Sequence, residues 1–216
     1  MKNALRVSPA VIRRLPRYLR ILEDIKREGL VDRVSSITLG SLAGCTASQV
    51  RQDLNNFGRF GTQGYGYNVE ALIKKIELIL GLDKRYSMVV VGAGNLGHAI
   101  TNFIGQYGSE FEIKAIFDIN PKVIGQKLGG VGVQDVKALD SYLEKNATDI
   151  GVITSNSKSA QGIADALEKG GVKGVWNFTI SEIQLPDDIA LQNVRISDSL
   201  HILSFHISSE FYPKRD

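Results

Sequence analysis

Apolar residues recur along the first third of the chain at three- and four-residue intervals, the spacing of a helix with one face turned inward. Val11, Ile12, Leu15, Leu19, Leu22 and Ile25 form the first such stripe. Ser8-Pro9 opens it, with Ser8 as N-cap and Pro9 at the first helical position, where no backbone N–H is missed. Gly29 ends it. A second, short helix starts at Ser35 or Ser36, runs through Leu39, Leu42 and Ala43, and stops at Gly44. Thr46-Ala47-Ser48-Gln49 fits a capping box: Thr46 takes the Gln49 backbone N–H while the Gln49 side chain reaches back. The third helix then turns Val50, Leu54 and Phe57 inward. Asn68 caps a fourth, striped by Val69, Leu72, Ile73, Ile76, Ile79 and Leu80 and stopped by Gly81.

Past residues 82–86, which read as a linker, the pattern changes. Residues 87–91 are a short apolar run that fits a buried parallel strand. Gly92-Ala93-Gly94-Asn95-Leu96-Gly97 follows at once, and a helix through Ile100, Phe103, Ile104 and Tyr107 comes next. A second strand at 111–117 ends in Asp118. The alternation continues with a minor strand at 131–133, a helix at 136–143 and a strand at 149–153. A helix at 160–167 and a strand at 172–176 complete it. The expected fold is α/β: a winged helix-turn-helix over 1–81, a Rossmann domain over 87–196 and a terminal helix over 197–216.

Two short helices around a tight glycine turn form the helix-turn-helix pattern, whose second helix enters the major groove of DNA. Its outward residues are Ser48, Gln49, Arg51, Gln52 and Asn55. Gln and Asn can pair adenine edges and Arg guanine. Thr46 at the start of this helix, and Arg13 and Arg17 on the polar face of the first, suit the phosphates; Arg14 and Arg20 share that face. The glycine-rich stretch 57–67 predicts a hairpin in which Arg59, Tyr65 and Tyr67 make a basic, aromatic wing along the DNA backbone, or else an ordinary surface hairpin.

The glycine turn is expected to cradle a pyrophosphate. Gly92 permits the turn, Gly94 lets the backbone approach the phosphates, and Gly97 lets the helix pack on its strand. Ala93, Asn95 and Leu96 complete the cradle at the positive end of the helix. Asp118, about 20 residues on, is placed to accept hydrogen bonds from the adenine-side ribose, or else to cap a helix. A carboxylate there repels a 2′-phosphate, so NADH and NAD+ are favoured over NADP(H), with Ile119 and Lys122 beside it. Thr154, Ser155 and Phe178, at strand carboxyl ends, are further candidate contacts, whereas Trp176 reads as core.

Charge supports the division. Residues 1–85 hold 15 Lys and Arg against 8 Asp and Glu, a net of +7, which leaves −4 on the remainder of a chain whose total is +3. A basic module on an acidic body is the footprint of nucleic-acid binding. The single cysteine, Cys45, excludes an internal disulfide and reads as a packing residue or a redox-reactive thiol. No apolar run of membrane-spanning length and no signal core occurs, so a cytoplasmic protein is expected.

Catalysis is not expected. The dinucleotide unit ends near residue 182, and the remaining 34 or so residues are too few for a substrate domain. His98, His201 and His206 offer no convincing general acid and no metal spacing. The alternative is a small NAD-dependent oxidoreductase with a basic accessory domain. The terminal helix carries Leu200, Leu203, Ile207 and Phe211 in one stripe, beside Ile202 and Phe205, which suggests burial against a second subunit or back onto its own domain.

Taken together the motifs resemble the Rex family of bacterial redox-sensing transcriptional repressors. The resemblance is carried by Gln49-Val50-Arg51-Gln52-Asp53-Leu54 with Phe57-Gly58, Gly64-Tyr65-Gly66-Tyr67, the 91–97 segment, Trp176-Asn177-Phe178 and Leu203-Ser204-Phe205. It implies a homodimer with domain-swapped C-terminal helices and a palindromic operator that NADH makes the protein release, while NAD+ competes. Several relatives carry a tyrosine where Phe103 falls and an aspartate where Arg195 falls, paired in a switch network. Here Phe103 has no phenol to offer, so that wiring must differ, and Ile196 falls near the nicotinamide.

Overall fold

Capping chemistry close in sequence sets the helices of the first third. The computed structural model describes residues 7–29, 31–58, 60–61, 65–107 and 110–208 and divides into two units, Met1–Lys84 and Arg85–Asp216. In the first unit, helix α1 (Pro9–Glu28) starts where Ser8 Oγ accepts the Ala10 N–H and ends at Gly29, left-handed at φ 64°. Strand β1 (Arg33–Val34) leads to α2 (Ser36–Ala43), and it is Ser35 that caps it by accepting the Thr38 N–H. After left-handed Gly44, Thr46 caps α3 (Ala47–Asn55). Strand β2 (Tyr67–Asn68) follows, and Asn68 in turn caps α4 (Val69–Leu80).

Leu15, Tyr18, Leu22, Leu39, Leu54, Leu72 and Ile76 are fully buried between these helices. Each aliphatic side chain among them contributes about 1.5–3 kcal/mol of apolar burial. The core is narrower than the periodicity alone implies, since Ile12 and Leu42 are 41% and 53% exposed. At the α2–α3 crossing, a Cβ on Gly40 would lie 2.7 Å from the Cys45 carbonyl oxygen, so only glycine allows so tight a turn.

Among the described residues, β2 pairs antiparallel with β1, matching Val34 to Tyr67. Gly66 makes that pairing possible, because a Cβ there would lie 2.5 Å from the Val34 carbonyl oxygen. Arg59 and Gly64 of the expected hairpin lie outside the described residues.

The second unit is a doubly wound sheet. Strand β3 (Tyr86–Val91), helix α5 (Asn95–Tyr107) and strand β4 (Phe111–Asp118) open it. A hairpin of β5 (Lys127–Leu128) and β6 (Val131–Asp135) precedes α6 (Leu139–Lys145). Then come β7 (Ile150–Ile153), α7 (Ala160–Lys169), β8 (Gly174–Asn177), β9 (Ala190–Asn193) and α8 (Ile196–Ser208). The strand order is β5-β6-β4-β3-β7-β8-β9, parallel throughout except for β5. Alternation divides the central strand. Val89 and Val91 pack with Leu143 and Leu167 of α6 and α7 on one face, and Met88 and Val90 pack with Ile104 of α5 on the other.

Three boundaries differ from the sequence reading. Leu82 packs against the first unit's core and Tyr86 already belongs to β3, stacked on Phe111 at 5.6 Å, so the connector is shorter than 82–86. The expected helix at 136–143 begins as a 3-10 turn, Val136–Ala138, and only then becomes α6. The sheet also continues past residue 182, because β9 adds a seventh strand beside β8. Helix α8 has no buried residue among those described, which removes the option of packing back onto its own sheet. Phe211 lies outside the described residues.

Candidate dinucleotide site and nucleic-acid interface

In a parallel sheet of this order, ligands bind beyond the strand carboxyl ends where the winding reverses, here between β3 and β7. The 92–97 turn stands at that point. Gly92 has φ +115°, and a Cβ on it would lie 2.7 Å from the Ser155 nitrogen. A Cβ on Gly97 would lie 1.9 Å from the Gly92 oxygen, so the first turn of α5 sits directly against the loop. Around Gly94 nothing lies within 4 Å of a built Cβ, so the turn is open on that side.

Two strand-end side chains hold the turn in shape. Asp118 Oδ2 accepts the Ala93 N–H at 2.5 Å and Oδ1 accepts the Asn120 N–H at 2.7 Å. No helix follows Asp118, so it caps this turn and not a helix. From the other side Thr154 Oγ1 donates to the Gly92 carbonyl at 2.7 Å. Thr154 thus donates its proton to the loop, and its hydroxyl oxygen keeps its capacity to accept. Ser155 is half-buried beside it, and Ile119 and Lys122 are exposed past Asp118. Phe178 is half-buried against Trp176, ring centroids 4.5 Å apart. An open backbone cradle at a helix start, with an acceptor carboxylate at the next strand tip, fits a dinucleotide. Among the described residues no group of His, Cys, Asp and Glu could hold a metal ion.

On the first unit, Ser48, Arg51, Gln52, Asn55 and Asn56 line a shallow depression of about 550 Å³ along α3. Arg51 Nη1 donates to Ser36 Oγ at 2.9 Å, which steadies its stem while the side chain stays exposed. Thr46, Arg13 and Arg17 are exposed, Arg17 lying alongside Gly44. Tyr65 is 72% exposed, and its carbonyl accepts from Arg33 Nε at 2.8 Å. Arg59 lies outside the described residues.

Two of the expected DNA contacts are placed elsewhere. Tyr67 is buried in the core, since its β1 partner turns the ring inward, and burial raises the phenol above its usual range. Gln49 completes only half of the capping box. Its backbone N–H goes to Thr46 Oγ1 at 3.1 Å, but its side chain donates to Asp53 Oδ1 at 2.7 Å.

Asp53 is the centre of a network the sequence reading missed. It is fully buried and accepts Arg14 Nε at 2.6 Å, Arg14 Nη2 at 2.8 Å and the Tyr18 hydroxyl at 2.8 Å. Burial alone would raise this carboxyl. The hydrogen bonds from Arg14, Tyr18 and Gln49 outweigh it and hold Asp53 below the usual carboxylate range. Burial chiefly, with hydrogen bonds to Cys45 and Asp53, pushes the Tyr18 hydroxyl up. Arg14, expected on the phosphate-facing surface, instead ties α1 to α3. The available signal was an acid between Val50 and Leu54 on the inward face of α3, opposite an Arg and a Tyr four apart on α1.

A helix-turn-helix with a β1–β2 wing, in one chain with a dinucleotide-type Rossmann unit, defines a ligand-responsive transcription regulator. Comparison supports each half. Residues 6–55 match the family model described as "Putative DNA-binding protein N-terminus", and residues 83–181 match the model of a CoA binding domain. The redox-sensing transcriptional repressor Rex of Thermoanaerobacter pseudethanolicus is 48% identical over 97% of this chain and 93% of its own length. Crystal structures of RSP, a Rex-family repressor, are similar too. Its complex with β-NADH has TM-score 0.86 and 46% identity over 94% of each chain. Its complex with β-NAD+ and operator DNA has TM-score 0.87 and 49% identity over 93% of this chain and 92% of that one. The chain belongs to the Rex family of redox-sensing transcriptional repressors. Among its described residues no helix is long and apolar enough to cross a membrane.

Proposed function

We propose that the chain represses transcription as a homodimer, binding a palindromic operator through α3 and releasing it when NADH occupies the 92–97 turn. The observation that carries this is the open glycine turn at the winding reversal, stapled by Asp118, in a chain whose exposed α3 face offers Arg51, Gln52 and Asn55 to a groove. The turn's backbone would hold the pyrophosphate, and Asp118 has lone pairs left for ribose hydroxyls. RSP has been crystallised with β-NADH and, separately, with β-NAD+ and operator DNA, which supports both ligands for this relative.

Dimerisation through α8 is supported by its surface. Ile196, Leu200, Ile202, Leu203, Phe205 and Ile207 are each at least half exposed. So continuous an apolar helix fits burial against a second copy, and two-fold symmetry then matches a palindromic site. We place the working domains near the expected 1–81, 87–196 and 197–216, with the first extended to Lys84, the second starting at Arg85 and the last helix starting at Ile196. Ser48 and Thr46 belong with the DNA contacts, and Ile119, Lys122, Ser155 and Phe178 with the cofactor contacts. An action on DNA also fits the cytoplasm.

The reduced nicotinamide is neutral and the oxidised ring is charged, so an apolar pocket prefers NADH. A ligand shifts an equilibrium only by its differential affinity, so a change in operator affinity of about 100-fold needs about 2.7 kcal/mol of coupling. The test is a gel shift on a palindromic duplex with NADH and NAD+ titrated separately. NADH should dissociate the complex and NAD+ should not. Identical responses to the two, or none, would refute the proposal.

A further inference from the structure

The carboxyl edge of β8 and β9 holds a polar knot that the reading above leaves unused. Asn177, fully buried at the end of β8, accepts the Thr179 N–H at 3.0 Å and the Thr179 hydroxyl at 2.8 Å. Its Nδ2 donates to the Ser181 carbonyl at 3.1 Å and to Asn193 Oδ1 at 2.8 Å. Arg195 closes the knot from the far side. Its guanidinium donates to the Thr179 carbonyl, to the Ser181 carbonyl at 3.1 Å and to the Glu182 carboxylate at 3.1 Å.

These contacts are unequal. The Arg195 side chain is 16% exposed but that of Glu182 is 83% exposed, so the ion pair is screened by water and the two carbonyls do most of the holding. A planar guanidinium grips two acceptors of one loop at once, which an ammonium cannot do with the same rigidity. Arg195 is also the residue directly before α8, and its own carbonyl accepts the Asp198 N–H at 3.2 Å in the helix's first turn. One residue therefore grips the loop with its side chain and starts the helix with its backbone. Phe178, a candidate cofactor contact, lies between Asn177 and Thr179 in that loop.

We propose that Arg195 is a positioning residue that ties the 178–182 loop to the first turn of α8, so that a ligand shifting the loop redirects the helix. The inference rests on the NADH-sensing reading above. It assigns Arg195 to the coupling between ligand and operator and not to the binding of either.

The test uses the full chain and the variants Arg195→Ala, Arg195→Lys and Glu182→Gln. Three quantities are measured for each: NADH affinity from the cofactor's own fluorescence, operator affinity without NADH, and operator affinity at saturating NADH. In Arg195→Ala the first two should stay within about 3-fold while the ratio of operator affinities falls at least about 10-fold. Arg195→Lys should fall between, and Glu182→Gln should keep the wild-type ratio. An unchanged ratio in Arg195→Ala overturns the proposal. So does a parallel loss of NADH affinity, which would make Arg195 a cofactor contact. A wild-type ratio of one is distinguishable from both, because it refutes the repressor reading itself and this inference with it. If Arg195→Ala fails to fold, hydrogen exchange on the wild type decides. NADH must change protection of the 179–182 and 196–199 amides together, and a change in the first set alone overturns the proposal.

Discussion

Replacing Asp53 by Asn tests whether the buried network holds the groove-reading helix. The carboxylate accepts four hydrogen bonds, two on each oxygen, from Arg14, Tyr18 and Gln49. An amide of the same shape keeps one oxygen. Whichever way it is turned, its NH2 group faces donors that the second oxygen had satisfied. Breaking a buried ion pair on one side costs about 3–5 kcal/mol. The Arg14 side chain is 31% exposed and can recover some hydration, so the lower end, about 3 kcal/mol, is expected. That is a large share of the roughly 5–15 kcal/mol that holds a domain folded. Urea unfolding followed by far-UV circular dichroism measures it. Adding Arg14→Met should restore at least about 1 kcal/mol, since the stranded cation is gone. A loss below about 1 kcal/mol, or strictly additive effects in the double variant, would refute the argument. The acid limb has a definite sign. Asp53 is held below its unfolded value, so its contribution is present above the ordinary carboxylate range and is lost as pH falls through the folded value.

In the second unit Asp149 is held at about 2 by Lys173 first and then by the Ser87 N–H and hydroxyl. Its support should therefore vanish as pH falls from about 4 towards 2, and Asp149→Asn should flatten that limb at a cost of about 1 kcal/mol in urea unfolding at neutral pH. Gly97→Ala brings a methyl to 1.9 Å from the Gly92 oxygen, so NADH affinity in a fluorescence titration should fall by about 100-fold or more; an unaltered affinity would contradict the tight loop geometry. Asp118→Ala should abolish the NADH response in gel shifts and leave operator binding intact, while Arg51→Ala should do the reverse. Leu203→Glu, on the open face of α8, should shift sedimentation towards the monomer.

The sequence revealed what nearby atoms decide. The caps at Ser8, Thr46 and Asn68 and the stops at Gly29, Gly44 and Gly81 each rest on partners within a few residues, so spacing alone locates them, and it narrows the cap of α2 to Ser35 or Ser36. The glycine turn is legible for the same reason. Contacts between distant residues were not. Tyr67 reads as a surface aromatic until Val34, far back in the chain, proves to be its strand partner and turns it inward. Arg14 reads as a phosphate ligand because nothing local tells of Asp53, 39 residues away. β9 escaped because four residues at a half-exposed sheet edge carry no strong apolar pattern.

The fastening of the 92–97 turn from both flanks has one further consequence. With Asp118 gripping the Ala93 N–H and Thr154 the Gly92 carbonyl, the socket has its shape before anything enters, and little ordering entropy is lost on binding. A socket of that kind is also blind. Oxidised and reduced dinucleotides present it with the same two phosphates and the same adenosine. It can anchor either form, and the choice between them must be made at the opposite end of the molecule.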